Sequence, residues 1–265
     1  MQFNALLRQM GSMLILTTAV WLWQVYARVL VDGAVLAAVM LMVLVIALAL
    51  WQRAKVRRRV WLEAYFRSQS PVNRWLKGGL GMAILQAATA LVLGVYLAVT
   101  LVRVQSPSIW VGLVVAALLF PFISYWIARR LQAHTKSSYR HVLSMRWAAL
   151  VLGAILWGFL IYLSYQSSYP DFRQANLDQS IWYMMSQEQA RSAWLLNALE
   201  LVAGSDGLRY WLAQQLLPAP TSSPSQVLAW GIVFAKEALF VWSYLLLCTG
   251  VLSFHNIALT EPLNQ

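Results

Sequence analysis

The stretch "VLAWGIVFAKEALFVWSYLLLC" (residues 227–248) is long and apolar enough to cross a bilayer, yet it holds Lys236 and Glu237 side by side. A transmembrane helix needs roughly 17–25 mainly apolar residues, and an ionisable group within one is costly enough to mark a functional or partner-seeking position. Five comparable runs precede it, over residues 12–31, 35–52, 80–102, 109–131 and 147–166, and the last run extends over 227–254. Lipid offers no partner for a backbone N–H or C=O, so each run is a helix or part of a closed barrel. The runs are continuous rather than alternating, which selects helices. The expected fold is therefore all-α: a polytopic membrane helix bundle with six transmembrane helices and a small helical extracytoplasmic cap.

Composition agrees. Of the 265 residues 60% are hydrophobic and 11% charged, where a soluble domain has about 25% charged residues and roughly 45–50% apolar ones. Turn chemistry falls between the runs: Asp32-Gly33, Ser106-Pro107-Ser108, and the cluster "PAPTSSPS" before the last. The chain divides into a five-helix region with basic loops (1–166), an extracytoplasmic helical loop (167–226), and a sixth helix with a short tail (227–265). The first run lacks a small-x-small cleavage site after it, so it reads as a retained helix rather than a cleaved signal.

Positive charge sets the expected orientation. Fourteen of the 20 basic residues fall at the chain start and in the second and fourth connections. Short loops rich in Lys and Arg stay cytoplasmic, so both termini are expected inside a cell inner membrane. The segment Arg53, Lys55, Arg57, Arg58, Arg59 follows the second run directly and is expected to meet anionic lipid head groups. It is also the candidate docking surface for a cytoplasmic partner. Val56, Val60, Leu62, Tyr65 and Phe66 share one side of it, so a helix continuing out of the membrane or lying along its surface is expected, ending or bending at Pro71. The net charge of +11 has its source here, and no direct nucleic-acid contact is expected.

The fifth connection carries five carboxylates against Arg173, Arg191 and Arg209. Ser186 with Gln189 three residues on reads as a capping box, and Gly204 as a stop. A helix with Trp194, Ala198, Leu201 and Val202 on one face is expected between them, then a second amphipathic piece starting at Ser205 or Asp206 and ending before Pro218. Gly79, Gly81, Ala83, Ala87, Ala90 and Gly94 suit close helix approach, which predicts the third run at the centre. Trp21, Trp23, Trp51, Trp110, Trp126, Trp147 and Trp230 read mostly as interfacial anchors, and Trp157 and Trp242 as packed between helices.

Chemistry-bearing motifs are sparse. The lone Cys248 rules out an intramolecular disulfide. His134 and His141 are seven apart with no nearby carboxylate, no histidine sits at membrane depth to ligate haem, and no phosphate-binding loop is present, so no catalytic residue, metal or cofactor is expected. The intramembrane charge-pair candidates are Lys236, Glu237 and Arg28. Adjacent helical residues point about 100° apart, so Lys236 and Glu237 cannot pair with each other. Arg28 and Arg103, both near the outer ends of their spans, lie at a suitable depth for Glu237, and of the two Arg28 is the expected partner. The resulting expectation is not an enzyme but a non-catalytic integral membrane subunit of a larger inner-membrane assembly, of the secretion, conjugation or envelope machinery type, with other protein subunits as partners. The alternatives are a small transporter or channel, and a membrane enzyme acting on lipid-linked substrates. Paired helix breaks expected of transporters are lacking, with Pro121 the one interruption, and no convergent set of acids and bases marks an enzyme.

Overall fold

The computed structural model describes residues 2–65, 80–133, 135, 137–166, 170–216 and 224–260. Pro71, Gly79, His134 and most of the Pro/Ser/Thr cluster fall outside them, as do the side chains of Arg59, Val60, Leu62 and Trp230. The described residues form long helices: α1 (Gln2–Tyr26), followed by a 3-10 turn (Ala27–Val29), α2 (Asp32–Tyr65), α3 (Leu80–Arg103), α4 (Pro107–Arg130), α5 (Ser137–Gln166), α6 (Leu177–Ser186), α7 (Ala193–Leu216) and α8 (Pro224–Thr260). Among the described residues there is no strand.

Six of these are long and apolar enough to cross a membrane: Leu6–Val29, Asp32–Arg58, Gly81–Arg103, Pro107–Ala133, Tyr139–Ser164 and Phe234–Phe254. The protein is an all-α polytopic membrane helix bundle. α2 runs straight past its apolar stretch to Tyr65, because residues 53–65 lack Gly and Pro and are mostly good helix formers.

The centre is α8, not the third run. In its most apolar 18-residue stretch 67% of positions are buried, against 33% for the span on α3, and α8 packs on each of α1 to α5 and on α7. The reason is where the small residues meet backbone. A methyl on Gly250 of α8 would lie 2.2 Å from the Val45 carbonyl oxygen of α2, whereas Gly81 of α3 has open space around it. Gly94 does act as expected, since a methyl there would stand 2.6 Å from Val43 Cγ2. α2 is thus approached closely on both flanks.

Buried indoles and phenols tie spans together through backbone carbonyls. Trp23 is not an interfacial anchor: it is buried and donates to the Ala98 carbonyl at 2.9 Å. Tyr244 donates to Leu113 O at 2.9 Å. Trp157 and Trp242, expected between helices, are instead partly exposed on the flank of the bundle, with Trp157 donating to Phe234 O at 3.1 Å.

The connection after α5 folds into the helix pair α6–α7. α6 ends at Ser186 where a start was expected, and its own start is marked by the Asn176 N–H donating to Gln179 Oε1 at 3.0 Å. Ser192 caps α7 by accepting from the Leu195 N–H at 3.2 Å. Gly204 does not stop α7. It sits inside the helix, buried against Met185 and Ile181 of α6, and a methyl on Gly207 would lie 2.6 Å from Ser180 O. Gly207 lets α6 and α7 touch backbone to backbone while Gly204 makes room for α6 side chains, and the helix continues through both. Its buried stripe is accordingly Leu195, Leu199, Val202 and then Asp206 and Arg209, while Leu201 points outward.

Candidate functional sites

That stripe has i, i+4, i+3, i+4, i+3 spacing, so it stays on one helix face. Its first half is apolar and its second half ionic. Along its length α7 changes from a hydrophobic cover into a row of charges laid across the ends of the spans.

The charges interlock. The Arg28 guanidinium contacts Glu188 at 3.0 Å, and Arg103 donates from Nε to the other Glu188 oxygen at 2.7 Å. Arg103 also pairs with Asp206, which in turn accepts from Lys236 and lies 3.7 Å from Arg209. Arg209 reaches Glu237 at 3.2 Å. Four cations and three carboxylates thus form one chain of ion pairs joining the end of α1, α3, the turn before α7, α7 itself and α8. Nearby, Ser192 donates to Asp32 at the start of α2, and the Arg191 N–H donates to Arg28 O at 2.9 Å.

The expected Arg28–Glu237 pair does not form: Arg28 is taken by Glu188 and Glu237 by Arg209. Lys236, Glu237 and Arg28 belong to the same cluster, but cap residues connect them. Asp206 and Arg209 were missed as site residues because α7 was expected to break at Gly204, which placed them in a separate surface piece, and Glu188 because it was placed inside a helix starting at Ser186, whereas it lies in the turn before α7. The charge pattern of the fifth connection, five carboxylates facing cations at span ends, was the available signal.

Burial gives these contacts their weight. The Asp206 side chain is 5% exposed and that of Glu188 8%. Burial alone would push the Asp206 carboxyl up, but the Lys236, Arg103 and Arg209 cations hold it below the usual carboxylate range. Burial likewise works against the Arg209 guanidinium, and Tyr210, Asp206 and Glu237 outweigh it, keeping its proton more tightly than usual.

A pH dependence follows. Asp206 has a folded value below its unfolded one, about 3.9, so its contribution is complete above the unfolded value and is lost as pH falls through the folded one. Melting of detergent-solubilised protein is expected to show no loss from this group between about pH 8 and pH 5, then an acid-induced fall. That fall should shrink in Asp206→Asn. An equally steep acid fall in the variant would assign it elsewhere.

A polar cavity of about 430 Å³ adjoins the cluster, walled by Thr100, Ser106, Ser108 and Ser164 with the charged groups. At the other end of the bundle a larger groove of about 1080 Å³ lies between α2, α5 and α8. Of the basic docking candidates, Arg53 and Arg57 line this groove together with Arg146, and Arg53 donates to Thr249 Oγ1 at 3.0 Å. Lys55 and Arg58 do not line it. Arg146 was not singled out from the sequence, since its position 93 residues beyond Arg53 hides their proximity.

The fold and its paired charges define the class: a polytopic helical membrane protein whose buried charges are linked by a helical cap. Comparison with protein-family models, curated proteins and solved structures gives no match.

Proposed function

We propose that the chain is a non-catalytic integral membrane subunit of a larger inner-membrane assembly, with both termini cytoplasmic and the α6–α7 cap outside. One observation carries this reading: each of the three cluster carboxylates, Glu188, Asp206 and Glu237, is engaged by at least one cation. A general acid or base needs a proton to exchange near neutral pH. Carboxylates committed to ion pairs serve instead to fasten the cap onto the spans, the work of a scaffold. The arginine-rich end of α2, where Lys55 and Arg57 are exposed, supplies the inner docking face, and the positive-inside rule supports the orientation.

The polar cavity beside the cluster favours a second reading, a small transporter using it as a vestibule. Purification in mild detergent, with mass-spectrometric identification of co-purifying chains, separates the two. A partner at fixed stoichiometry is expected. A lone monomer that supports ion-coupled solute flux in liposomes, lost in Glu237→Gln while the protein stays folded, would reverse the order.

A further inference from the structure

We propose that the groove between α2, α5 and α8 is a binding site for one acidic phospholipid. Arg53, Arg57 and Arg146 would hold its phosphate, and its acyl chains would lie along α5 and α8. The two ends of the bundle differ in a way that points to a missing anion. At the cap end the cations meet carboxylates. In the groove three arginines converge, close enough that Arg57 and Arg146 act electrostatically on Arg53, yet among the described residues no carboxylate lines the wall. Among the described residues no ion pair reaches them either. Converging like charges repel unless a counter-charge joins them, and the guanidinium fork matches phosphate oxygens.

The remainder of the groove selects an amphiphile over a free anion. Beyond the arginines its walls are almost wholly apolar, formed by residues such as Leu150, Val241, Trp242 and Leu245. It opens on the flank of the bundle, where Leu150, Trp157 and Trp242 are exposed. Small residues make the space: Ala149, Gly153 and Ala154 hollow the α5 wall and Ala238 the α8 wall. From Arg146 to Trp157 the groove follows α5 for about 16 Å at 1.5 Å per residue. That is half of the roughly 30 Å hydrocarbon core, the depth of one leaflet. Its volume of about 1080 Å³ also exceeds the roughly 300–1,000 Å³ typical of small-molecule sites, as a two-chain lipid requires. Basic pockets between transmembrane helices are known to take acidic head groups.

The test uses the full chain in mixed micelles holding equal amounts of phosphatidylglycerol and phosphatidylcholine with identical acyl chains, read by native mass spectrometry. One retained phosphatidylglycerol is expected, favoured at least tenfold over phosphatidylcholine. Arg57→Gln with Arg146→Gln, both exposed positions, should bring that preference close to one. Ala154→Trp, which fills the apolar wall and leaves the arginines, should reduce the retained lipid severalfold. Arg57→Gln alone provides a milder variant with an intermediate preference should the double variant not fold. No preference in the unaltered protein, or a preference unchanged by the arginine substitutions, would overturn the assignment. So would displacement of the lipid by millimolar inorganic phosphate, which would make the site one for a free anion. Loss of a stoichiometric transmembrane polypeptide, rather than lipid, in Ala154→Trp would make the groove the seat of a partner helix.

Discussion

An Asp206→Asn variant is expected to lose about 3–5 kcal/mol of stability, the usual cost of removing one member of a buried ionic group. The substitution keeps the shape of the side chain and deletes the charge that Lys236, Arg103 and Arg209 share. Those three cations then lie together at the end of the bundle with Glu188 and Glu237 their remaining nearby anions, and the cheapest relief is for α7 to lift. Melting in detergent and proteolysis at the turn before α7 should both report this, with cleavage preceding global unfolding. Arg28→Gln supplies the contrast: its side chain is 32% exposed, and solvent-facing pairs contribute only about 0–1 kcal/mol. Equal losses in the two variants would show that the cluster does not depend on Asp206.

The second large effect is steric. Gly250→Ala places a methyl 2.2 Å from the Val45 carbonyl oxygen and 2.9 Å from its carbon, and backbone on the facing helix cannot swing away as a side chain can. α2 and α8 must separate, at a cost of about 1–3 kcal/mol or more for overpacking. Since α8 touches every other span, the displacement spreads through the bundle. Gly158→Ala is the matched control, with nothing within 4 Å of the added methyl. There the helix-propensity gain of about 0.5–1 kcal/mol should dominate and the melting temperature rise slightly. A harmless Gly250→Ala would mean that α2 and α8 do not approach as described.

These two residues mark what the sequence could and could not disclose. The six apolar stretches were legible because membrane length and continuous hydrophobicity are properties of a segment by itself. Which helix becomes central is a property of pairs. Gly81 and Gly250 look alike in a sequence, and only the facing backbone separates them. The same limit governed the charges. Sequence position told how deep Lys236 and Glu237 lie along their helix, and that they cannot face each other. It did not tell which neighbour occupies each side, so Arg28 was paired with Glu237 on depth alone. The cap supplied the true partners. Reading Gly204 as a terminator split α7 in two and concealed that Leu195, Leu199, Val202, Asp206 and Arg209 form one stripe. The residues needed to see it were present, but the glycine signal is local and the reason for continuing, close contact with α6, is not.

A double-mutant cycle on Asp206 and Lys236 tests most directly whether the cap neutralises the intramembrane charges. Asp206→Asn, Lys236→Met and the combined variant would be unfolded in parallel in the same detergent. The cost of Asp206→Asn is expected to be smaller by about 1–3 kcal/mol once Lys236 is methionine, the coupling typical of contacting residues in one network. An identical cost in both backgrounds would mean that the two side chains do not interact and that the cap is held by other forces.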